Sequence, residues 1–341
     1  MRHLDLQVIT QALEWARDGE TLWLCTVLST YGSSPRAPGS LLVARGDGRY
    51  IGSLSGGCVE DAFIEALRDG VFNQPATVVR YGESQEESQR LQLPCGGVLE
   101  VLVERHEAND EWMTHLEVLA ATLLGQKRLV RRVELASGRY RVTLDAQHNG
   151  STVERERGEG EREPSAVRVR VGPALRLILA GISPVAQYCA EFARTLGYEV
   201  IVCDPREEQR RGFNVEGVEV QAILPSLFIS SGACHEATAI VALTHDPRID
   251  DLAMIEAVRT PAFYIGVMGS QQTSQKRAAR LARSGGLTDE QIARIHMPIG
   301  LDLGSKAPAE IALAVVADVM RVYNGKTMMT MDDERAAVDV V

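Results

Sequence analysis

Apolar residues recur at helical spacing from Leu4 to Ala16, and a continuous apolar run from Leu22 to Leu28 then predicts a buried strand ending at Ser29. A Gly/Ser/Pro loop follows. Leu41 to Ala44 and Tyr50 to Leu54 read as two strands joined by Arg45-Gly46-Asp47-Gly48, where the Asp-Gly step supplies the positive φ of a tight hairpin. Beyond it the spacing predicts a helix over Val59 to Leu67, strands over Thr77 to Tyr81 and Val98 to Val103, and a helix over Trp112 to Leu124. Two further strands, Leu129 to Leu135 and Tyr140 to Leu144, complete an α+β domain.

From Asn149 to Pro164 the pattern breaks: Glu, Arg and Gly dominate around a single apolar residue, Val153, so the stretch reads as a linker or mobile loop. After it, Leu175 to Ala180 predicts a strand, Val185 to Leu196 a helix, and Glu199 to Cys203 and Ile240 to Thr244 two more strands. Strands alternating with helices imply a parallel sheet with crossover helices. The expected division is an N-terminal α+β domain over 1–148, a linker over 149–165, a Rossmann-like domain over 166–325 and a C-terminal tail over 326–341.

A length of 341 residues gives room for two cores of roughly 150 residues each. The net charge of −10 argues against a nucleic-acid partner, because phosphate-backbone affinity depends on Lys and Arg. Any anionic ligand must be held by a local site. No apolar window is long enough to span a membrane, and the charged N-terminus lacks the core of a secretory signal, so a cytoplasmic location is expected. The six cysteines form no CxxC pair, which suggests neither a zinc site nor a secreted disulfide framework.

In the second half, the strand ending at Ala180 runs into Gly181-Ile182-Ser183-Pro184-Val185-Ala186 and a helix, the context of a dinucleotide fingerprint. Asp204 lies near the offset where an acid takes a ribose hydroxyl. Ser183, however, stands where a second glycine should be, and Pro184 withdraws one N–H donor. His245 and Asp246 follow a strand at the edge where α/β ligands bind, although Asp246 could simply cap the next helix. Gly269 and Ser270 open a basic helix carrying Lys276 and Arg277, either an anion pocket or a capped surface helix.

Three glycine-dense clusters mark the first half: Gly32-Ser33-Ser34-Pro35-Arg36, Ser55-Gly56-Gly57-Cys58-Val59-Glu60, and Pro94-Cys95-Gly96-Gly97. Such glycines mark close backbone approach or left-handed conformations. Gly56-Gly57 would put Cys58 at a helix N-terminus, where the helix dipole favours a thiolate. The bland alternative for Cys58 and Cys95 is a small buried hydrophobe.

These clusters, with Thr244-His245-Asp246-Pro247, Tyr264-Ile265-Gly266-Val267-Met268-Gly269-Ser270 and the run from His296 to Gly304, resemble the XdhC/CoxI family. The family comprises accessory factors of xanthine dehydrogenase and aerobic carbon monoxide dehydrogenase. The resemblance implies an α+β domain followed by a Rossmann-like domain, and a chaperone that binds molybdenum cofactor in mono- or dinucleotide form. It also implies support of cofactor sulfuration with a cysteine desulfurase or other sulfurtransferase, delivery to an apo-molybdenum hydroxylase, and a homodimer. On that reading Cys58 or Cys95 touches molybdenum or passes sulfur, and Cys58 is the metal ligand. Gly32, Ser33, Ser34, Arg36, Gly56, Gly57, Gly96 and Gly97 hold the pterin phosphate, with Gly181, Ser183, Asp204, His245, Asp246, Gly269 and Ser270 as further binding positions. The chain departs from the family at Ser183-Pro184, where Gly-His is usual, and at Ala307, where a capping threonine is usual. An NAD(P)-dependent oxidoreductase and a docking protein without a small-molecule ligand are the alternatives.

Overall fold

The computed structural model describes residues 4–30, 36–84, 98–145, 151–157 and 164–325, and the chain divides into one unit over His3–Ala174 and a second over Leu175–Val341 together with Met1–Arg2. In the first unit, α1 (Leu4–Arg17), β1 (Leu22–Thr30), β2 (Leu41–Arg45), β3 (Tyr50–Gly52), α2 (Cys58–Arg68), β4 (Ala76–Tyr81), β5 (Leu99–His106) and α3 (Asp110–Leu124) follow in order. Strands β1 to β5 form an antiparallel sheet of order β3-β2-β1-β5-β4. The β2–β3 hairpin turns where expected, with Gly48 at φ 87° and its N–H donating to the Arg45 carbonyl. β3 ends two residues earlier than the sequence predicts because Ser53 and Leu54 turn away to bind a carboxylate described below.

Alternation of side chains sorts the sheet into two faces. Cys25, Val27, Val101 and Val103 pack against Val59, Phe63 and Leu67 of α2, while Leu22, Leu24 and Val43 pack against α1 and α3.

The strands β6 (Leu129–Glu134), β7 (Tyr140–Leu144), β8 (Val153–Glu156) and β9 (Ala166–Val171) make a second antiparallel sheet, ordered β7-β6-β9-β8. Here the expected division is corrected: the boundary falls at Ala174/Leu175, and Val153–Glu156 is a strand of the first unit rather than a linker. The charges that suggested disorder are spent across strands, Glu154 on Arg170 at 2.7 Å and Glu156 on Arg132 at 2.6 Å. Val133, Val167 and Val169 of this sheet pack on Leu28 and Leu102 of the first.

The second unit carries β10 (Arg176–Ala180), α4 (Pro184–Thr195), β11 (Glu199–Cys203), α5 (Glu207–Gly212), β12 (Glu219–Gln221), α6 (Pro225–Ser230), β13 (Thr238–Ala242), α7 (Pro247–Ala257), β14 (Tyr264–Val267), α8 (Gln271–Gly285), α9 (Asp289–Ala293), β15 (Ile295–His296) and α10 (Pro308–Tyr323). Its six strands are parallel, in the order β12-β11-β10-β13-β14-β15. Helices cover both faces: α4 and α10 bury Ala186, Cys189, Val315 and Val319 on one, and α7 and α8 bury Ala253, Met254 and Leu281 on the other. This is the expected Rossmann-like architecture, with the order reversing between β10 and β13.

Candidate functional site

Cys58 is the first residue of α2, as its Gly-Gly prefix predicts, and it is half-buried. The other described cysteines, Cys25, Cys189, Cys203 and Cys234, are buried, and burial pushes their thiols up. Cys58 is therefore the accessible thiol among the described residues.

What fixes the loop before it is Glu60, which sequence reasoning quoted without assigning it a role. Its carboxylate, 2% exposed, accepts six hydrogen bonds: from the Ser53 and Ser55 hydroxyls and from the backbone N–H groups of Leu54, Ser55, Gly56 and Gly57, all at 2.7–3.1 Å. Burial alone would raise this carboxyl, but the donors outweigh it and hold it down at about 2. Gly56 takes φ 97°, which its neighbours' convergence on one carboxylate requires. Glu60 occupies the third position of the helix, the place where an acid reaches back to the cap; that spacing was the available signal.

The Glu60 bonds correct one expectation. The Gly56 and Gly57 amides donate inward to Glu60, so they are not the free donors a phosphate cradle needs. Arg36 is half-buried at the start of the turn into Ser40. Gly32, Ser33, Ser34, Cys95, Gly96 and Gly97 lie outside the described residues.

At the carboxyl edge of the parallel sheet the structure brings together Gly181, Ser183, Asp204, His245 and Asp246. Gly181 has φ 91°, and a Cβ there would collide with the Thr244 methyl, so the turns after β10 and β13 approach at the switch point as closely as glycine allows. Asp204, fully buried, is not available to a ribose: its carboxylate accepts from the Ile182 N–H at 2.7 Å and from the Arg206 N–H, Nε and Nη2 at 2.7–3.0 Å. Burial would raise this carboxyl, and the Arg206 guanidinium with the Ile182 amide holds it below the usual range. The Ser183 hydroxyl accepts from the Ala186 N–H at 3.1 Å and caps α4, which consumes another donor of the fingerprint turn.

His245 is exposed and holds φ 65°, the single positive-φ residue other than glycine among the described residues. Asp246 caps α7 by accepting from the Arg248 N–H and pairs with that guanidinium at 2.9 Å. Ser270 caps α8 through Thr273. The expected anion pocket on α8 loses one cation, since Arg277 is buried, pairs with Asp250 at 3.3 Å and Asp251 at 2.9 Å, and donates to the Met268 carbonyl. Asp250 in turn accepts from the Thr244 hydroxyl at 2.6 Å, tying the end of β13 to the end of β14. Among the described residues no group of three His, Cys, Asp or Glu side chains could hold a metal ion, and no helix is long and apolar enough to cross a membrane.

Residues 15–82 match the model described as the XdhC and CoxI family, and residues 177–319 that of the XdhC Rossmann domain. A probable xanthine dehydrogenase subunit of Bacillus subtilis is 28% identical over 89% of this chain and 94% of its own. The molybdenum cofactor insertion chaperone PaoD of Escherichia coli is 26% identical over 92% of this chain and 87% of its own. A crystal structure described as a xanthine dehydrogenase from Bacillus halodurans shares the fold, with a TM-score of 0.72, 22% identity, and coverage of 96% of this chain and 99% of that one. With the Gly-Gly-Cys loop inside one matched region and the Gly181 turn inside the other, the chain belongs to the XdhC/CoxI family.

Proposed function

We propose that this protein is an accessory factor that binds molybdenum cofactor, supports its sulfuration and passes it to an apo-molybdenum hydroxylase. The observation that carries the reading is Cys58, an accessible thiol at the head of a long helix, on a loop fixed by a buried carboxylate. A thiolate is the soft ligand suited to molybdenum or to a transferred sulfur atom, and a rigid loop holds it at one position with little entropy left to lose on binding. PaoD, whose name states cofactor insertion, supports the same reading across both units.

The residues present fit part of the cofactor. The bound group would supply the metal and its sulfur chemistry; Cys58 would hold and orient it, with Arg36 balancing phosphate charge. The Gly56 and Gly57 amides take no part, being spent on Glu60. An NAD(P)-dependent oxidoreductase is disfavoured because Asp204, the expected ribose acceptor, is enclosed by Ile182 and Arg206.

The test is to purify the full chain from a host that makes molybdenum cofactor and measure bound pterin by fluorescence and molybdenum by elemental analysis, beside Cys58→Ala. Wild type should carry both, and the variant should lose most of the molybdenum. A wild-type protein free of pterin would sink the proposal. The reading extends to a cysteine desulfurase as sulfur donor, a homodimer and a cytoplasmic site of action; size measurement, co-elution and cell fractionation check these.

A further inference from the structure

Among the described residues the longest edge strand is β4, six residues that close the first sheet beside β5; the other edges, β3, β7, β8, β12 and β15, run five residues or fewer. Its register shows which backbone groups are left over. β4 and β5 are antiparallel, with Ala76 opposite Glu104 and Tyr81 opposite Leu99, and the Arg105 N–H donates to the Pro75 carbonyl at 3.0 Å. Residues of an antiparallel pair alternate between bonding across the ladder and turning away from it, so Thr77, Val79 and Tyr81 bond to β5 while Ala76, Val78 and Arg80 direct N–H and C=O outward. On that outer side these three make no backbone hydrogen bond among the described residues. The edge is also unprotected in composition: β4 has no proline and no bulge, and its first four residues, Ala-Thr-Val-Val, carry no charge.

A cavity of about 810 Å³ follows this edge. Five consecutive residues, Thr77 to Tyr81, line it, and because successive side chains of a strand point to opposite faces, an opening that touches all five runs along the side of the strand rather than over one face. One wall is Ala66, Phe72 and the exposed Val71, and the other is Leu28 with Val167 and Arg155 of the second sheet. The recess admits a single strand; the edge of a second copy would bring the same two walls with it and collide with these. Arg157, exposed at the groove, has no ion pair among the described residues.

We infer that β4 receives an extended segment of a partner protein, which pairs its backbone with Ala76, Val78 and Arg80 and places a carboxylate at Arg157. Its side chains alternate between the apolar cluster of Val78 and Val167 and that of Val79 and Phe72. The occupant must offer N–H and C=O groups in alternation from Ala76 to Arg80, about 14 Å, which a polypeptide strand does and a compact small molecule does not. The groove uses neither Cys58 nor any group assigned to the cofactor, so it stands apart from the reading above.

Hydrogen exchange by NMR on the deuterated full chain reads the edge first. The Ala76, Val78 and Arg80 amides should exchange freely while those of Thr77, Val79 and Tyr81 are protected. Protection of all six in the free protein would mean that the chain itself or a second copy already covers the edge, and would overturn the inference. The binding probe is an acetylated, amidated heptapeptide with aspartate at each end and valine and threonine alternating between them. It should bind one-to-one in calorimetry and protect the three outward amides, and its analogue N-methylated at every residue should bind at least roughly tenfold more weakly. Val78→Pro removes only an outward N–H, so it should keep the melting temperature near that of wild type yet weaken the peptide roughly tenfold, whereas Val79→Pro breaks the ladder and lowers the melting temperature. Arg157→Glu, which removes no ion pair among the described residues, should weaken the peptide roughly fivefold, and less at high salt. No binding at millimolar peptide, or equal binding of the N-methylated analogue, would refute recognition through the backbone edge.

Discussion

Six donors on one buried carboxylate make Glu60 the residue on which the thiol loop depends. Glu60→Gln would set an amide N–H₂ against N–H donors in a site that accepts only an acceptor, so it should destabilise the first unit by ~2–4 kcal/mol, seen as a lower denaturant midpoint. The wild-type carboxyl is held at about 2, below its unfolded value near 4.5, so its contribution is complete above that unfolded value and disappears as pH falls toward 2. The variant should lack this limb; parallel acid titrations of both proteins would refute the assignment. Cys58 sits on the loop without supporting it, so Cys58→Ala should change stability by less than ~1 kcal/mol while molybdenum retention falls. Cys95→Ala should have the smaller effect on delivery to a client hydroxylase, and one activation assay on both variants ranks them. Cys58 was legible because two glycines before a helical pattern announce a helix start. Glu60 was not, because a sequence does not distinguish an exposed helix-start acid from one around which a whole loop has closed.

The elements legible at a distance were those whose apolar period is unbroken: the helices at Leu4–Arg17 and Asp110–Leu124, the β2–β3 hairpin and the core strands of the parallel sheet. Val153–Glu156 escaped because a strand whose charges pair with Arg132 and Arg170 has no apolar face long enough to declare itself, and pairing partners are set by the fold. At the fingerprint turn, the sequence showed the missing glycine but not why its loss is tolerated: Ser183 has become the cap of α4. Ser183→Ala should therefore cost ~1 kcal/mol in a thermal melt, and Ser183→Gly only a few tenths. Because the cap, Pro184 and the enclosed Asp204 each remove a contact a dinucleotide needs, NAD and NADP should bind with dissociation constants near or above millimolar, about 4 kcal/mol. Micromolar NAD binding in calorimetry would instead revive the oxidoreductase reading.

Across the molecule, buried titratable groups occur in both units, and in the first unit three of them join in one cluster. Glu104, fully buried, is gripped by both Arg131 terminal nitrogens at 2.8 Å, and Arg131 Nε donates to His115 Nε2, also at 2.8 Å. That last bond requires a neutral imidazole. Burial, then the Arg131 charge, pushes His115 down to about 3, and Glu104 is held at about 2 because Arg131 overcomes the opposing effect of burial. In both cases the unfolded chain takes up protons before the folded one, so each group's stabilisation is whole above its unfolded pKa and is lost as pH falls through the folded value. For His115 that window opens near 6.5 and for Glu104 near 4.5. The second unit has groups of the same kind: His235 is pushed down to about 4 by burial, and Asp204, although burial opposes it, is held below its usual range by Arg206 and the Ile182 amide. On acidification from pH 8 to pH 3, amide hydrogens of β5 and β6, the strands that carry Glu104 and Arg131, should therefore lose exchange protection. His115→Gln, which can still accept from Arg131 but does not titrate, should flatten the limb between pH 6.5 and 4.5 by an amount on the order of a few kcal/mol. Hydrogen exchange by mass spectrometry on the full chain resolves both units at once. Superimposable profiles for wild type and His115→Gln would show that the buried imidazole does not set the acid lability of this unit.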